Sequence, residues 1–227
     1  MKNHLKRIFA PKTWSLARRE KTFVARPNCG PHSLSRGLAL GVLIRDHLSF
    51  AATMVEAKKL LQIQTVLVDG KRRKDHHYCV GLFDVLSFPH ITKYYRLLLD
   101  KKGRLALKEI TSQEASVKIC KVVGKKVITS GKIQYCLHDG RTLSTQKNLH
   151  VGDSVLFDFT SLSAVENFPL EKNACVYLVD GKYAGSVGFL QEIKHKEVIC
   201  KVEDNMVETA KDYLFVVGAK QSRITLQ

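Results

Sequence analysis

No run of this chain stays apolar for more than seven residues. The longest is "LALGVLI" at 38–44, and a membrane-spanning helix needs roughly 20. A long polar stretch precedes that run and no A-x-A-like site follows it, so a signal-peptide core is excluded and a buried helix in a non-secreted protein is the expectation. Closely spaced cysteine pairs are missing too. The six cysteines, at 29, 79, 120, 136, 175 and 200, stand far apart, whereas structural zinc sites bring their ligands in pairs. Cys29-Gly-Pro-His32 has no second pair to complete it. Free, mostly buried thiols in a reducing cytosol are therefore expected, and no metal or other cofactor.

Acidic residues are scarce. There are 21 Asp and Glu against 37 Lys and Arg, a net charge of +16. Residues 1–36 hold nine basic residues and one acid, Glu20, whereas residues 175–227 hold seven of each sign. A surplus this large calls for a polyanionic partner such as nucleic acid or an acidic membrane surface. Its concentration at one end is the pattern of a basic arm on folded domains. Catalytic signatures are lacking as well: no phosphate-loop glycine pattern and no helical H-E-x-x-H occurs. "HDG" at 138–140 reads as a hairpin tip, since neighbouring strand residues point to opposite faces and cannot form a catalytic pair. His76-His77 reads as solvated or phosphate-facing.

The first 36 residues carry three of the five prolines and no sustained period. Phe9, Trp14 and Phe23 are costly to leave in water, so this segment should order against something. From 37 the periodicity sharpens. "GLALGVLIRDHLSF" predicts a helix. Thr53-Met-Val-Glu56 matches a capping box that opens a second helix, with Val55, Leu60 and Leu61 toward a core and Lys58 and Lys59 outward. "TVLVDGKRRKDHHY" predicts a hairpin turning at Asp69-Gly70, and Val80 to Phe88 a further strand. Beyond 93 short strands follow one another between Gly-containing turns, which suggests small barrels; only 111–119 reads as a turn or two of helix. The fold class is α+β, mostly β, in several domains.

The basic clusters are the strongest functional signal. Lys71-Arg72-Arg73-Lys74 follows a tight turn, Lys58 and Lys59 lie on the preceding helix, and Arg45 on the one before. Packed together, these side chains can share one phosphate-binding face, and arginine can also stack on bases.

"RDHLSFAATMVEAKKLLQIQTVLVDGKRRKDHHYCVGLFDVL" resembles the S-four RNA-binding domain, two packed helices followed by a hairpin and a strand. The flanks "HLKRIFAPKTW", "ARPNCGPHSL", "YRLLLDKKGRLALKEIT" and "HDGRT" extend the likeness. "YLVDGKYAGSVGFLQEI", with Gly181, Gly185 and Gly188, is similar to a KOW motif. Taken in order, these segments resemble the small-subunit ribosomal protein family S-four-e of archaea and eukaryotes over nearly the whole chain. Cys79 stands where that family usually has proline, and Leu38-Ala39-Leu40 replaces the usual Leu-Pro-Leu.

The resemblance implies four parts: a basic N-terminal extension at 1–36, an S-four domain at 37–92, a central β domain at 93–173 and a KOW-type small β-barrel at 174–227. It implies a structural role in the small ribosomal subunit, with small-subunit ribosomal RNA and neighbouring ribosomal proteins as partners, and no membrane, small-molecule substrate or catalysis. The arm would thread into ribosomal RNA through His4, Lys6, Arg7, Lys12, Trp14, Arg26 and His32, though Trp14 has a second reading, in which it pins the arm back onto the protein. Arg141 of "HDGRT" joins Arg45, Lys58, Lys59 and Lys71 to Lys74 as expected RNA contacts. Two alternatives use similar modules. One is a free-standing RNA chaperone or translation regulator. The other is a pseudouridine synthase, whose relatives resemble one another around Gly-Arg-Leu-Asp with the aspartate as nucleophile; here Gly103-Arg104-Leu105-Ala106 puts a methyl group at that place.

Overall fold

The computed structural model describes residues 4–128, 131, 133–145, 147–194, 197–203 and 205–226. The chain forms two compact units. The first runs to Leu98 and includes Arg104–Ser116; the second comprises Leu99–Gly103 and the chain from Val117 onward. Among the described residues no helix is long and apolar enough to cross a membrane.

In the first unit the N-terminal arm is packed onto protein. Strands β1 (Leu5–Lys6) and β2 (Phe23–Val24) pair antiparallel. Trp14 is only 2% exposed, bridges to Leu105, and donates its indole N–H to the Leu34 carbonyl at 3.0 Å. The Arg18 guanidinium donates to the carbonyls of Ile8, Ala10 and Pro11 and so holds the loop between the two strands. Of the two readings of Trp14, the structure takes the second: the indole is an anchor inside the protein.

The helix expected over 37–50 begins late. Gly37–Ala39 is strand β3, drawn into pairing with β6 (Cys79–Gly81), a long-range contact that periodicity does not register. Helix α1 (Leu40–Val42) then runs into a wider π turn over Leu43–His47. The capping box opens α2 (Met54–Ile63) as expected: the Thr53 hydroxyl accepts from the Glu56 N–H at 3.2 Å, and the Glu56 carboxylate accepts from the N–H groups of Ala52 and Thr53. Ala57 and Leu61, one turn apart, face the core, whereas Val55 points to solvent.

Strands β4 (Leu67–Val68) and β5 (Lys71–Arg72) form the expected hairpin, with Asp69 and Gly70 both at positive φ. The stretch 80–88 is two strands rather than one. It breaks at Phe83, at φ 66°, before β7 (Val85–Phe88). Strands β8 (Lys93–Leu99) and β9 (Leu105–Glu109) complete a sheet in the order β5-β4-β7-β8-β9. The strands within 93–109 thus extend the hairpin's own sheet. The helix expected over 111–119 reduces to one 3-10 turn at Glu114–Ser116.

The second unit holds two five-stranded antiparallel sheets. Strands β10 (Val117–Val127), β11 (Ile133–Leu137), β12 (Thr142–Ser144), β13 (Ser154–Asp158) and β14 (Ser163–Phe168) take the order β12-β11-β10-β13-β14. Their alternating inward residues, among them Cys120, Val122, Tyr135, Leu137 and Val155, form one core cluster. Strands β15 (Cys175–Leu178), β16 (Val187–Lys194), β17 (Glu197–Val202), β18 (Asn205–Ala210) and β19 (Leu214–Gly218) take the order β18-β17-β16-β15-β19. The glycines of the "VDGKYAGSVG" stretch have local reasons. At Gly185, φ is +86° and a side chain would run into the Asp100 carbonyl. The Tyr177 hydroxyl, on β15, is buried between the N–H and the carbonyl of Leu99 at 2.9 and 3.0 Å. That burial pushes its pKa up to about 12.

Candidate nucleic-acid interface

Helix α2 and the β4–β5 hairpin bring together the main basic cluster. Lys58, Lys59, Lys71, Arg72 and Lys74 are exposed. Arg72 donates to the Gln62 carbonyl at 3.1 Å, near the C-terminus of α2, where a cation also complements the helix dipole. This bond ties the hairpin to the helix and places their charges side by side. Arg73 is half-buried, with its guanidinium 4.3 Å above the Tyr78 ring. The His76 and His77 rings stand 4.0 Å apart. Burial, then the charges of His77 and Lys58, lower the His76 pKa. Lys58 on α2 and His76 on the loop after the hairpin thus share one positive region, and an anion brought there would relieve their repulsion.

The arm contributes a second group. His4, Lys6, Lys12 and Arg26 are exposed or half-buried at its surface, as are Arg19 and Lys21, which sequence reading does not single out. Two aromatic rings accompany them: Phe9 is 74% exposed and Phe23 54%, the latter edge-on to His4 at 5.6 Å. With Trp14 buried, these two rings are the arm's open aromatic faces. The sequence signal for them is their cost in water, which does not separate them from Trp14.

Five of the expected contacts have side chains engaged by protein partners. Arg7 is 2% exposed; it donates to the Ala17 carbonyl at 2.7 Å and pairs with Asp46 at 3.1 Å and Glu20 at 3.5 Å. An arginine buried among such partners fixes the arm instead of reaching a phosphate. Trp14 is the anchor already described. His32 Nε2 lies 3.0 Å from the buried Asp84 Oδ1, and its ring fills the space above Gly81 that any side chain would need. Arg141 pairs with buried Asp139 at 3.3 Å and lies over the rings of Phe157 and Phe159. Arg45 is mostly covered and donates twice to Asp46. Its pKa is raised chiefly by that bond, and Asp46, which burial alone would raise, is lowered by the same partner.

The "HDG" stretch is the hairpin tip expected, in the turn between β11 and β12. There the ligand atoms of His138 and Asp139 lie within 4.8 Å of each other and of Cys120 Sγ. Lys118 Nζ stands 3.2 Å from the Asp139 carboxylate, with both side chains buried. Burial would raise the Asp139 pKa, but Lys118, His138 and Arg141 outweigh it and hold it below the usual carboxylate value. A carboxylate already neutralised by two cations suits an internal ion pair better than a metal. All six cysteines are free thiols, four of them buried. Burial pushes Cys79 and Cys200 up to about 11, so neither is a thiolate at neutral pH.

Comparison with known proteins gives the family. Residues 91–162 match the model of ribosomal family S4e, and residues 1–35 match the RS4NT (NUC023) domain. Small ribosomal subunit protein eS4 of Methanocella arvoryzae is 39% identical over 95% of this chain and 94% of its own. Its Methanococcus vannielii counterpart is 35% identical over 99% and 98%. The crystal structure of the 30S ribosomal protein S4e from Thermoplasma acidophilum superposes with a TM-score of 0.72 at 28% identity, covering 85% of this chain and 99% of that one. Identity of this level over full length, with the same fold, places the chain in the small ribosomal subunit protein eS4 family.

Proposed function

We propose that this protein is a structural constituent of the small ribosomal subunit, acting in the cytoplasm, which binds and orders small-subunit ribosomal RNA among neighbouring ribosomal proteins. It does no covalent chemistry. Helices α1 and α2 with their hairpin are the S-four module, and the β15–β19 sheet with its glycine-rich loop is the KOW-type module. The observation that carries the RNA reading is the basic cluster that Arg72 ties to the end of α2. Lys58, Lys59, Lys71 and Lys74 lie exposed around it, and the charge of Lys58 reaches His76. Such a surface binds phosphates by releasing counterions. The arm adds Lys6, Lys12, Arg26 and His4 beside the exposed faces of Phe9 and Phe23, a combination suited to unpaired bases in folded RNA.

Sedimentation of native extract on a sucrose gradient at near-physiological salt, with the protein located by mass spectrometry, tests this reading. Co-migration at one copy per small subunit is expected. A protein found chiefly at the top of the gradient, or with one small RNA, would replace it with a free-standing RNA-binding role.

A further inference from the structure

The second unit carries a groove of about 640 Å³ that no RNA reading uses. It is lined by the loop bearing Asp180, Lys182 and Tyr183, by Met206–Ala210 of β18, and by Tyr213. Strand β18 is an end strand: it pairs with β17 alone, in unbroken register from Val202↔Asn205 to Glu197↔Ala210. Its other edge of backbone N–H and C=O groups has no strand beside it among the described residues. Proteins usually blunt such edges with lysine, proline or a bulge. Asn205-Met-Val-Glu-Thr-Ala210 has neither residue, and its register shows no bulge. An open edge of this kind accepts an extended segment as one more strand.

Charge decides what segment. The protein carries +16 overall, yet among the described residues the groove is lined by Glu197 and Glu208 beside the ammonium of Lys182. Lys182 lies over the Tyr183 ring at 5.6 Å, and Glu208 meets Lys194 at 3.8 Å in a pair exposed on both sides, which a guest cation can displace. A phosphate backbone would face the carboxylates of Glu197 and Glu208 here, whereas lysines or arginines would find partners. Met206, 63% exposed, and Tyr213 offer apolar surface to the alternate side chains of a strand. We propose that this groove takes an extended cationic segment of another protein, added as a strand along β18. The proposal goes beyond the RNA reading and does not depend on it.

A fluorescein-labelled peptide of about ten residues, alternating lysine and valine, is long enough to cover one strand and serves as the probe. It is titrated into the full-length protein at near-physiological salt and followed by anisotropy and by ¹⁵N amide shifts. Saturable binding is expected, with shifts concentrated at 205–210 and in the 180–183 loop. The Glu197→Gln/Glu208→Gln variant, whose changes are on the surface, should bind roughly threefold to tenfold more weakly. A probe N-methylated at alternate residues should not pair, and a glutamate–valine counterpart should not bind. Absence of saturable binding, equal binding by the double variant, or shifts centred elsewhere would overturn the proposal. So would an RNA of similar length that moves the same amides.

Discussion

Trp14 is the chain's only tryptophan, so its burial can be read directly from RNA-free protein. If the arm is part of the first unit, Trp14→Ala removes a wholly buried indole and the hydrogen bond to Leu34, which costs about 3–5 kcal/mol. That is a large share of a domain stability of about 5–15 kcal/mol. With a urea slope of about 2 kcal/mol/M, the unfolding midpoint of the first unit should fall by about 2 M. Trp14→Phe keeps most of the apolar body but deprives the Leu34 carbonyl of its indole donor, so about 1–3 kcal/mol is expected. Circular dichroism follows both variants. Hydrogen exchange at the Leu105 amide, which donates to the Thr13 carbonyl at 2.7 Å, reports the docking itself. If the Trp14 fluorescence of RNA-free protein is quenched by acrylamide as freely as an isolated indole, and the Leu105 amide is unprotected, the reasoning fails and the arm orders only on RNA.

Three further outcomes follow from the same residues. Lys71→Ala or Arg72→Ala should flatten the slope of log affinity for ribosomal RNA against log salt by about 0.7–0.9 for each phosphate no longer neutralised, whereas Arg7→Lys, inside the protein, should shift thermal stability and leave that slope alone; equal slopes in all three would remove the hairpin from the RNA face. Phe9→Ala and Phe23→Ala should leave the melting temperature nearly unchanged, since both rings are exposed, and weaken RNA binding by about 1–3 kcal/mol per stacked base; binding equal to wild type would show that no base stacks there. Asp139→Asn should destabilise the second unit by about 3–5 kcal/mol, because Lys118 is left charged and buried. Asp139 has a folded pKa below its unfolded value of about 3.9, so its contribution is full above that pH and is lost as pH falls through the folded value. The stability gap between wild type and variant should therefore narrow as pH falls below about 3.9, and a gap independent of pH would contradict the ion-pair account.

What sequence alone determined is what local chemistry and composition specify. The capping box at Thr53–Glu56 and the Asp69-Gly70 hairpin are settled by a few neighbouring residues, because the hydrogen bonds and positive φ they need are short-range. The mostly β character of the later chain and its basic excess are likewise visible in order and count. Tertiary structure decided the rest. Gly37–Ala39 became a strand because Cys79–Gly81 lies beside it. Strands at 93–109 joined the hairpin's sheet because pairing partners, not sequence proximity, define a unit. Burial then divided residues of one type. Arg7 and Arg141 spend their charge on Asp46 and Asp139, while Lys71 and Arg72 stay in water. Trp14 is enclosed while Phe9 and Phe23 stand open. A side chain's type states what it can bind, but the distance to its partners in three dimensions decides whether that capacity is already used inside the protein.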